Sequence, residues 1–287
     1  MPQTINTNIV SLNAQRSLST TQSALSTSMQ RLSSGLRVNS AKDDAAGLAI
    51  AERMNAQVRG MSVAMRNAND GISMAQTAEG ALGKVSEAMQ RMRELAVQSA
   101  NATNSDSDKD SLDAEFGELA KEVQRILGGT SFNNLSVLGA DAGTKTFQIG
   151  ANTGGEDTID IVTTNMTTDT TITSVAGTDY NGSSRAVIDS SVSSSQIKSV
   201  IDDIDAALDT LSTERGTLGA AQNRFDTVIG NLQVSIENQT AARSRIMDAD
   251  YAAETANMSR TQILQQAGVA MVAQANQIPQ SVLALLR

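Results

Sequence analysis

Cysteine, histidine and tryptophan are all absent from this chain of 287 residues, and only 2% of its residues are aromatic. Without cysteine the chain forms no disulfide and has no thiolate nucleophile, and without histidine it lacks His-containing catalytic triads and HExxH-type zinc sites. A GxxxxGK phosphate-binding loop is missing too. We therefore expect no metal, no cofactor and no enzymatic activity.

The chain is also poor in positive charge, with a formal net charge of -9. A nucleic-acid-binding surface needs a face rich in lysine and arginine, so we expect no nucleic-acid partner. There is no apolar run long enough to span a bilayer, and we expect no membrane insertion. The first residues lack the basic and apolar regions of an ordinary signal peptide, which by default favours the cytosol.

Apolar residues are abundant, at 40% of the chain, and many follow one alternating spacing of four and three residues. Such a seven-residue repeat is typical of long coiled-coil helices. In the downstream half the repeat contains Ile197, Ile201, Ile204, Leu208, Leu211, Leu218, Phe225, Ile229, Leu232 and Ile236. Upstream it contains Met54, Val58, Met61, Met65, Ala68, Ile72 and Ala75, then Ala78, Leu82, Val85, Met89, Met92 and Ala96, and in a shorter segment Leu112, Phe116, Leu119, Val123 and Ile126. The pattern predicts three helices in a small antiparallel bundle.

Two further stripes lie at the opposite ends of the sequence. The first contains Leu18, Leu25, Met29, Leu32 and Leu36, and the second contains Leu264, Gly268, Met271, Ala275, Ile278, Val282 and Leu285. We expect the two segments to pair through these stripes as a terminal coiled coil. Because two lone helices bury little apolar surface, we also expect these segments to be largely disordered in the free monomer and to fold when neighbouring subunits bury them. Their apolar residues are therefore the predicted self-assembly surface.

The middle of the chain, from about residue 128 to residue 196, is rich in Gly, Thr, Ser, Asn and Asp. Residues 146–149 and 158–161 alternate polar and apolar side chains, which predicts a β-hairpin with a turn at residues 152–156. Residues 170–175 are expected to form a third strand. Residues 177–195 are expected to be an exposed loop.

Long strings near both ends resemble the bacterial flagellins. They are RLSSGLRVNSAKDDAAGLAI at residues 31–50, SRIMDADYA at 244–252, MSRTQILQQAG at 258–268 and AQANQIPQ at 273–280. The resemblance covers roughly residues 1–140 and 197–287, and it suggests a short, two-domain flagellin.

The resemblance implies a mainly α fold, an elongated long-helix coiled-coil bundle with a small β-hairpin region and discontinuous domains formed by both chain ends. Residues 1–40 and 255–287 would form a terminal coiled-coil domain that lines the inner tube of a filament. Residues 41–254 would form an outer three-helix bundle, with the hairpin and loop region at about 128–196.

The function implied by the resemblance is that of a structural subunit of the flagellar filament, which polymerises head-to-tail into a tube and acts as a propeller. Flagellins are exported unfolded through the flagellum's own type III apparatus, so the expected location becomes extracellular. The expected partners are further copies of the chain, the export apparatus, a flagellin chaperone, the filament cap and junction proteins, and host innate immune receptors.

Two recognition sites are implied as well. The segment around residues 90–98 resembles the part of flagellin that an animal Toll-like receptor reads, and the C-terminal tail resembles one detected by an intracellular innate sensor. The expected receptor contacts are Gln90, Arg91, Leu95, Gln98 and Glu115, with Arg91, Leu95 and Gln98 on one helix face. The expected tail residues are Val282, Leu283, Leu285, Leu286 and Arg287.

Two alternatives stay open at this point. A flagellar hook–filament junction protein shares flagellin-like ends, and it is the second interpretation of the terminal strings. An enzyme that uses carboxylate pairs alone is the third.

Overall fold

The chain is seen in a computed structural model that describes residues 7–284, with side chains described as far as residue 278. The helices are α1 (Ile9–Ser34), α2 (Ala45–Ser99), α3 (Asp106–Gly129), α4 (Thr170–Ala176), α5 (Ser194–Met247) and α6 (Tyr251–Ala284). The strands are β1 (Ser131–Phe132), β2 (Leu135–Ser136), β3 (Thr144–Gln148) and β4 (Thr158–Val162). The predicted mainly α fold with a small β-hairpin is therefore confirmed.

The chain separates into two compact units. The first, which we call the terminal unit, consists of Met1–Ala56 and Glu237–Arg287. The second, the central unit, consists of Gln57–Ile236. Both units contain parts of α2 and α5. The division predicted from the sequence, at residues 40 and 255, stays a prediction.

The core of the central unit is formed by the apolar stripes of α2, α3 and α5. Fully or nearly fully buried members are Ala68, Ala75, Leu82, Val85, Met89, Met92, Phe116, Val123, Leu127, Ile197, Ile204, Leu211, Leu218 and Phe225. Nearly all of them belong to the predicted four–three repeat, because that spacing keeps residues on one face of a helix. Helix α3 begins where Ser105 accepts a hydrogen bond from the Asp108 backbone N–H, in a capping box.

The β-hairpin pairs β3 with β4 in antiparallel register, with Phe147 opposite Ile159. Ile159 and Ile161 are buried against the helices, while Asp160 between them is exposed. The Phe147 ring meets the buried Phe225 ring edge to face, with ring centroids 5.6 Å apart. The hairpin is thus a cover over one part of the helical core.

The expected third strand is wrong, because residues 170–176 form the short helix α4. The Asp169 side chain accepts a hydrogen bond from the Thr171 backbone N–H at 2.9 Å and so caps the first turn. Ile172, Val175 and Ala176 are buried at helical spacing. The cap and the apolar face together outweigh the strand preference of the β-branched threonines and isoleucine.

The irregular segment after α4 is held to α3 by a partly buried ion pair. Arg185 reaches Asp113 through two contacts of 2.8 and 2.5 Å, and the Ile188 backbone N–H donates to the same carboxylate at 2.9 Å. The guanidinium also lies 5.9 Å from the centre of the Phe116 ring. Burial alone raises the pKa of Asp113, but the hydrogen bonds from Arg185 and Ile188 outweigh it and the pKa is lowered.

Replacement of Asp113 by Asn is expected to lower the free energy of unfolding by about 2 kcal/mol at pH 7, because Arg185 then loses its charged partner. The folded pKa of Asp113 lies below its unfolded value, so its stabilisation is present above the ordinary aspartate pKa and is lost as the pH falls through the folded pKa. Urea unfolding of D113N and of the unaltered chain, at pH 7 and at pH 3 or below, measures this difference in stability and its loss in acid. Glu118→Gln, in an exposed pair with Lys121, is the control and should change stability by less than about 0.5 kcal/mol. Equal stability of D113N and the unaltered chain at pH 7 would contradict the assignment.

In the terminal unit, the connection between α1 and α2 is hydrogen-bonded to the last residues of α5. The Arg37 backbone N–H donates to the Met247 carbonyl at 2.6 Å, and its guanidinium donates to the Ile246 carbonyl at 2.8 Å. Val38, Ala51 and Met247 form a small buried cluster beneath these bonds. The string at residues 31–50 therefore builds the link that holds α1 and α6 at one end.

Candidate self-assembly surface

Helices α1 and α6 pack against each other in antiparallel orientation and make polar contacts at both ends of their seam. At one end the Asn8 side-chain amide donates to the Ala275 carbonyl at 2.8 Å, and the Ser11 hydroxyl donates to Asn276 Oδ1 at 2.7 Å. At the other end are two contacts that join Leu32 to Tyr251 and Arg31 to Glu254. The Tyr251 hydroxyl donates to the Leu32 carbonyl at 2.8 Å, and Arg31 lies 4.0 Å from the largely buried Glu254 carboxylate.

The two helices come closest near Gly268. A Cβ atom at this position would lie 3.1 Å from Leu18 Cδ1 and 3.8 Å from Leu18 Cβ. The missing side chain therefore lets the α6 backbone approach Leu18 directly.

The least exposed positions of both helices define the seam, again with four–three spacing. They are Ser11, Ala14, Leu18, Thr21, Leu25, Ser28 and Leu32 on α1, and Glu254, Met258, Thr261, Gln265, Gly268, Val272 and Ala275 on α6. About half of these side chains are polar. The seam therefore buries little apolar area for a helix pair of this length.

The stripe predicted on α6 does not form this seam, and that prediction needs correction. Leu264 is 51% exposed, Met271 is 65% exposed and Ile278 is 43% exposed. Among the stripe members with described side chains, Gly268 lies against Leu18 and Ala275 is buried. The polar contacts at both ends favour the neighbouring face of the helix. We call Leu264, Met271 and Ile278 the outward stripe.

The members of the stripe predicted on α1 differ in their burial. Leu18, Leu25 and Leu32 lie half-buried in the seam, whereas Met29 is 50% exposed. Leu36 lies beyond the end of the helix and packs against the small cluster that contains Met247. The side chain of Val282 and the whole of Leu285 lie outside the described residues.

Further exposed apolar residues of the terminal unit were not predicted. They include Ile9, Val10 and Leu12 on α1 and Ile263 and Val269 on α6. They fall outside the four–three spacing of the predicted stripes. The cluster of Ile9, Val10 and Leu12 in the first turn of α1 is a signal that could have revealed part of this surface.

The expected receptor contacts lie on α2 and α3 in the central unit. Arg91 Nε donates to Glu115 Oε1 at 2.9 Å, and Arg91 Nη1 donates to Glu94 Oε2 at the same distance. The hydrogen bonds with Glu94 and Glu115 raise the pKa of the Arg91 guanidinium. Gln90 and Gln98 are exposed beside this pair.

Leu95 is an exception among the expected receptor contacts. Its side chain is completely buried with Met92 and Ala96 in the core of the central unit. It cannot share an accessible face with Arg91 and Gln98, and that part of the expectation is wrong. The five expected residues of the C-terminal tail lie outside the part of the chain whose side chains the structure describes.

Comparison with known proteins decides the family. The family model for the bacterial flagellin N-terminal helical region matches residues 5–143, and the model for the C-terminal helical region matches residues 201–286. The chain belongs to the bacterial flagellin family. It is 46% identical over 283 residues to a flagellin of Halalkalibacterium halodurans, and the match covers 99% of each chain. It is 42% identical over 315 residues to a flagellin of Xenorhabdus nematophila, with full coverage of both.

A solved structure of a putative flagellar hook-associated protein from Vibrio parahaemolyticus is similar in fold alone. Its TM-score is 0.60 at 12% identity, and the match covers 72% of this flagellin and all of that chain. At so low an identity the likeness carries no argument about function. The junction-protein interpretation therefore receives no support.

Membership of the flagellin family identifies the chain as a structural subunit of the extracellular flagellar filament and not as an enzyme. Among the described residues, no helix combines the length and the apolar character needed to cross a bilayer. The same part of the chain holds no group of three or more acidic side chains arranged to bind a metal ion.

Proposed function

We propose that the outward stripe of α6, with the exposed Ile9, Leu12 and Met29 of α1, is the surface through which one subunit joins its neighbours. The observation that supports this proposal is that most of the described large apolar side chains of α6 are exposed and do not lie on the face packed against α1. The helix packs a half-polar face on α1 and leaves its more apolar face exposed. Soluble monomers rarely leave such faces uncovered, and large exposed apolar patches mark interaction sites.

The exposed apolar area of the outward stripe can stabilise contacts between subunits when neighbours bury it. Full burial of one Leu, Ile or Met side chain contributes about 1.5–3 kcal/mol. Leu264, Met271 and Ile278 are between 43% and 65% exposed, so contacts between subunits can still bury about half of each side chain. A repeated, head-to-tail contact whose rotation does not close produces an open helix.

The proposal is tested by seeded growth of filaments from the full chain and from a variant with serine at Leu264, Met271 and Ile278. Growth that depends on these three side chains supports the proposal. We also propose that the terminal segments form the inner wall of the filament tube. This role requires the same contacts between subunits through the outward stripe.

We further propose that the subunit is exported unfolded through the flagellar export apparatus, with a flagellin chaperone, the filament cap and the junction proteins as partners. Family membership supports this proposal. The absence of cysteine is consistent with it, because a chain that folds after export then needs no disulfide formation outside the cell.

We also propose that Gln90, Arg91, Gln98 and Glu115 form a contact for a host Toll-like receptor. All four side chains are exposed, and a shallow depression beside them is lined by Gln90, Arg93, Glu94, Val97 and Gln98. Arginine is enriched among the few interface residues that contribute most of the binding energy. The intracellular sensor of the C-terminal tail stays a prediction.

Replacement of Arg91 by Ala is expected to weaken receptor binding by about tenfold, because arginine is enriched among the interface residues whose truncation costs more than about 1 kcal/mol. Binding of the free subunit to a purified receptor ectodomain measures this. Arg125→Ala, which removes an exposed pair with Glu122 on α3, is the matched control and should leave affinity unchanged. Equal affinities of R91A and R125A would remove the support for this patch.

A further inference from the structure

Methionine holds all the sulfur of this chain, which has 12 methionines and no cysteine. The thioether of methionine can be oxidised reversibly to a sulfoxide, which turns a flexible apolar side chain into a polar one. Leucine, isoleucine and valine do not undergo this reaction. Reversible oxidation of an apolar surface on this chain must therefore occur at methionine.

The methionines differ in burial according to their place in the fold. Among the described residues, the buried ones, none more than 8% exposed, are Met61, Met74, Met89, Met92, Met166 and Met247. Three are half-buried, namely Met54, Met65 and Met258. In the described part of the chain only Met29 on α1 and Met271 on α6 are exposed, at 50% and 65%. Both belong to the proposed assembly surface.

We propose that Met29 and Met271 form a reversible oxidation site that switches off subunit addition while the subunit is free. This inference rests on the proposed role of the outward stripe in assembly. The oxidant is a peroxide, which transfers one oxygen atom to the sulfur. With hydrogen peroxide the O–O bond breaks and an S–O bond forms. Sulfur loses two electrons, and the second peroxide oxygen leaves with both protons as water.

The position of Met271 explains why its oxidation affects the whole stripe. Leu264 lies seven residues before Met271 and Ile278 lies seven residues after it, so a sulfoxide at Met271 places a polar group at the centre of the stripe. An apolar side chain gains free energy when a neighbouring subunit buries it. A buried sulfoxide without a hydrogen-bond partner loses free energy instead.

Access to the two sulfurs does not require α1 and α6 to be paired in the free subunit. The terminal segments are expected to be largely disordered until neighbours bury them, and disorder exposes Met29, Met258 and Met271 further. Met89 and Met92 stay protected in the core of the central unit. The free subunit is thus the sensitive state, and the filament, in which neighbours cover the stripe, is the protected one.

The oxidation site is tested by treating free subunits with dilute hydrogen peroxide and locating the sulfoxides by peptide mass spectrometry. Met29 and Met271 should oxidise at least about tenfold faster than Met89 and Met92, because susceptibility follows exposure. In assembled filaments the rates at Met29 and Met271 should fall at least about tenfold, because neighbouring subunits cover both sulfurs.

The switch is tested by seeded growth of the oxidised full chain. It should need at least about a tenfold higher concentration to grow, because two side chains of the surface no longer gain from burial. Reduction by methionine sulfoxide reductases, one for each sulfoxide epimer, should restore growth. Circular dichroism of the free chain should be unchanged, since the buried methionines of the central unit are not oxidised.

The matched variant carries Met29→Leu and Met271→Leu, which keep apolar side chains at both positions but remove the sulfur. Met258 remains in this variant and reports any contribution of its own. The variant is compared with its own untreated sample, so its basal growth does not enter the comparison. Peroxide should change its critical concentration by less than about twofold.

Three results would overturn the switch. They are oxidation of Met29 and Met271 no faster than that of Met89 and Met92, unaltered growth of the oxidised chain, and equal sensitivity of the leucine variant and the unaltered chain. If the oxidised chain grows normally, the variant with serine at Leu264, Met271 and Ile278 decides what has failed. Loss of growth in the serine variant would leave the assembly surface in place and reject only the switch. Normal growth of the serine variant would reject the assembly surface itself.

Discussion

A chain with serine in place of Leu264, Met271 and Ile278 is expected to need about a hundredfold higher concentration to grow on filament seeds. All three side chains are between 43% and 65% exposed in the single subunit, so about half of each remains to be buried by neighbours. About 1 kcal/mol for each half-burial sums to about 3 kcal/mol, and every 1.4 kcal/mol is a factor of ten. The critical concentration, measured by sedimentation and electron microscopy, gives the effect directly.

The control carries serine at three exposed polar positions of the same helix, Asn257, Gln266 and Gln274. It has the same number of substitutions and removes no large apolar side chain, so it should grow at nearly the unaltered concentration. A chain that lacks residues 1–40 and 260–287 shows the result expected when growth on seeds is lost completely. Growth of the stripe variant at the unaltered concentration would show that the subunits join through another surface.

The long helices could be predicted from the sequence because several independent signals agree. In α3 the capping box at Ser105, the four–three repeat and the two glycines at the end all indicate the same limits, and the helix ends at Gly129. In the short helix α4 the signals disagree. Its threonines favour a strand, and only the Asp169 cap and the burial of Ile172 and Val175 decide for a helix. Burial depends on the folded core, which the local sequence does not contain.

The assembly surface could be predicted only in part, for a related reason. Periodicity shows that α6 has a stripe with four–three spacing, but it does not show whether the stripe faces α1 or solvent. The outcome depends on contacts between residues more than 200 positions apart, such as that of Tyr251 with Leu32. Leu95 is a similar case. Its spacing from Arg91 suggested a shared surface, whereas its neighbours Met92 and Ala96 carry it into the core.

Replacement of Phe225 by Ala is expected to lower the free energy of unfolding by about 3–5 kcal/mol. The ring is fully buried, and it meets Phe147 edge to face at an interplanar angle of 85°. It also lies over Gly71 in the middle of α2, where a Cβ atom would be 2.8 Å from Phe225 Cζ. Urea unfolding of the free full chain, followed by circular dichroism, measures the loss.

The contact between Gly71 and Phe225 leads to a further prediction: the effect of Gly71→Ala on stability should change sign when the Phe225 ring is removed. Glycine in a helix interior costs about 1 kcal/mol relative to alanine, so α2 tolerates Gly71 because the Phe225 ring occupies the space of a side chain. Gly71→Ala alone should destabilise the chain by about 1–3 kcal/mol through overpacking. In a Phe225→Leu background, where the ring is gone, the same change should be neutral or should stabilise by up to about 1 kcal/mol. An equal penalty in both backgrounds would mean that the close contact with the ring is not the reason for glycine at this position.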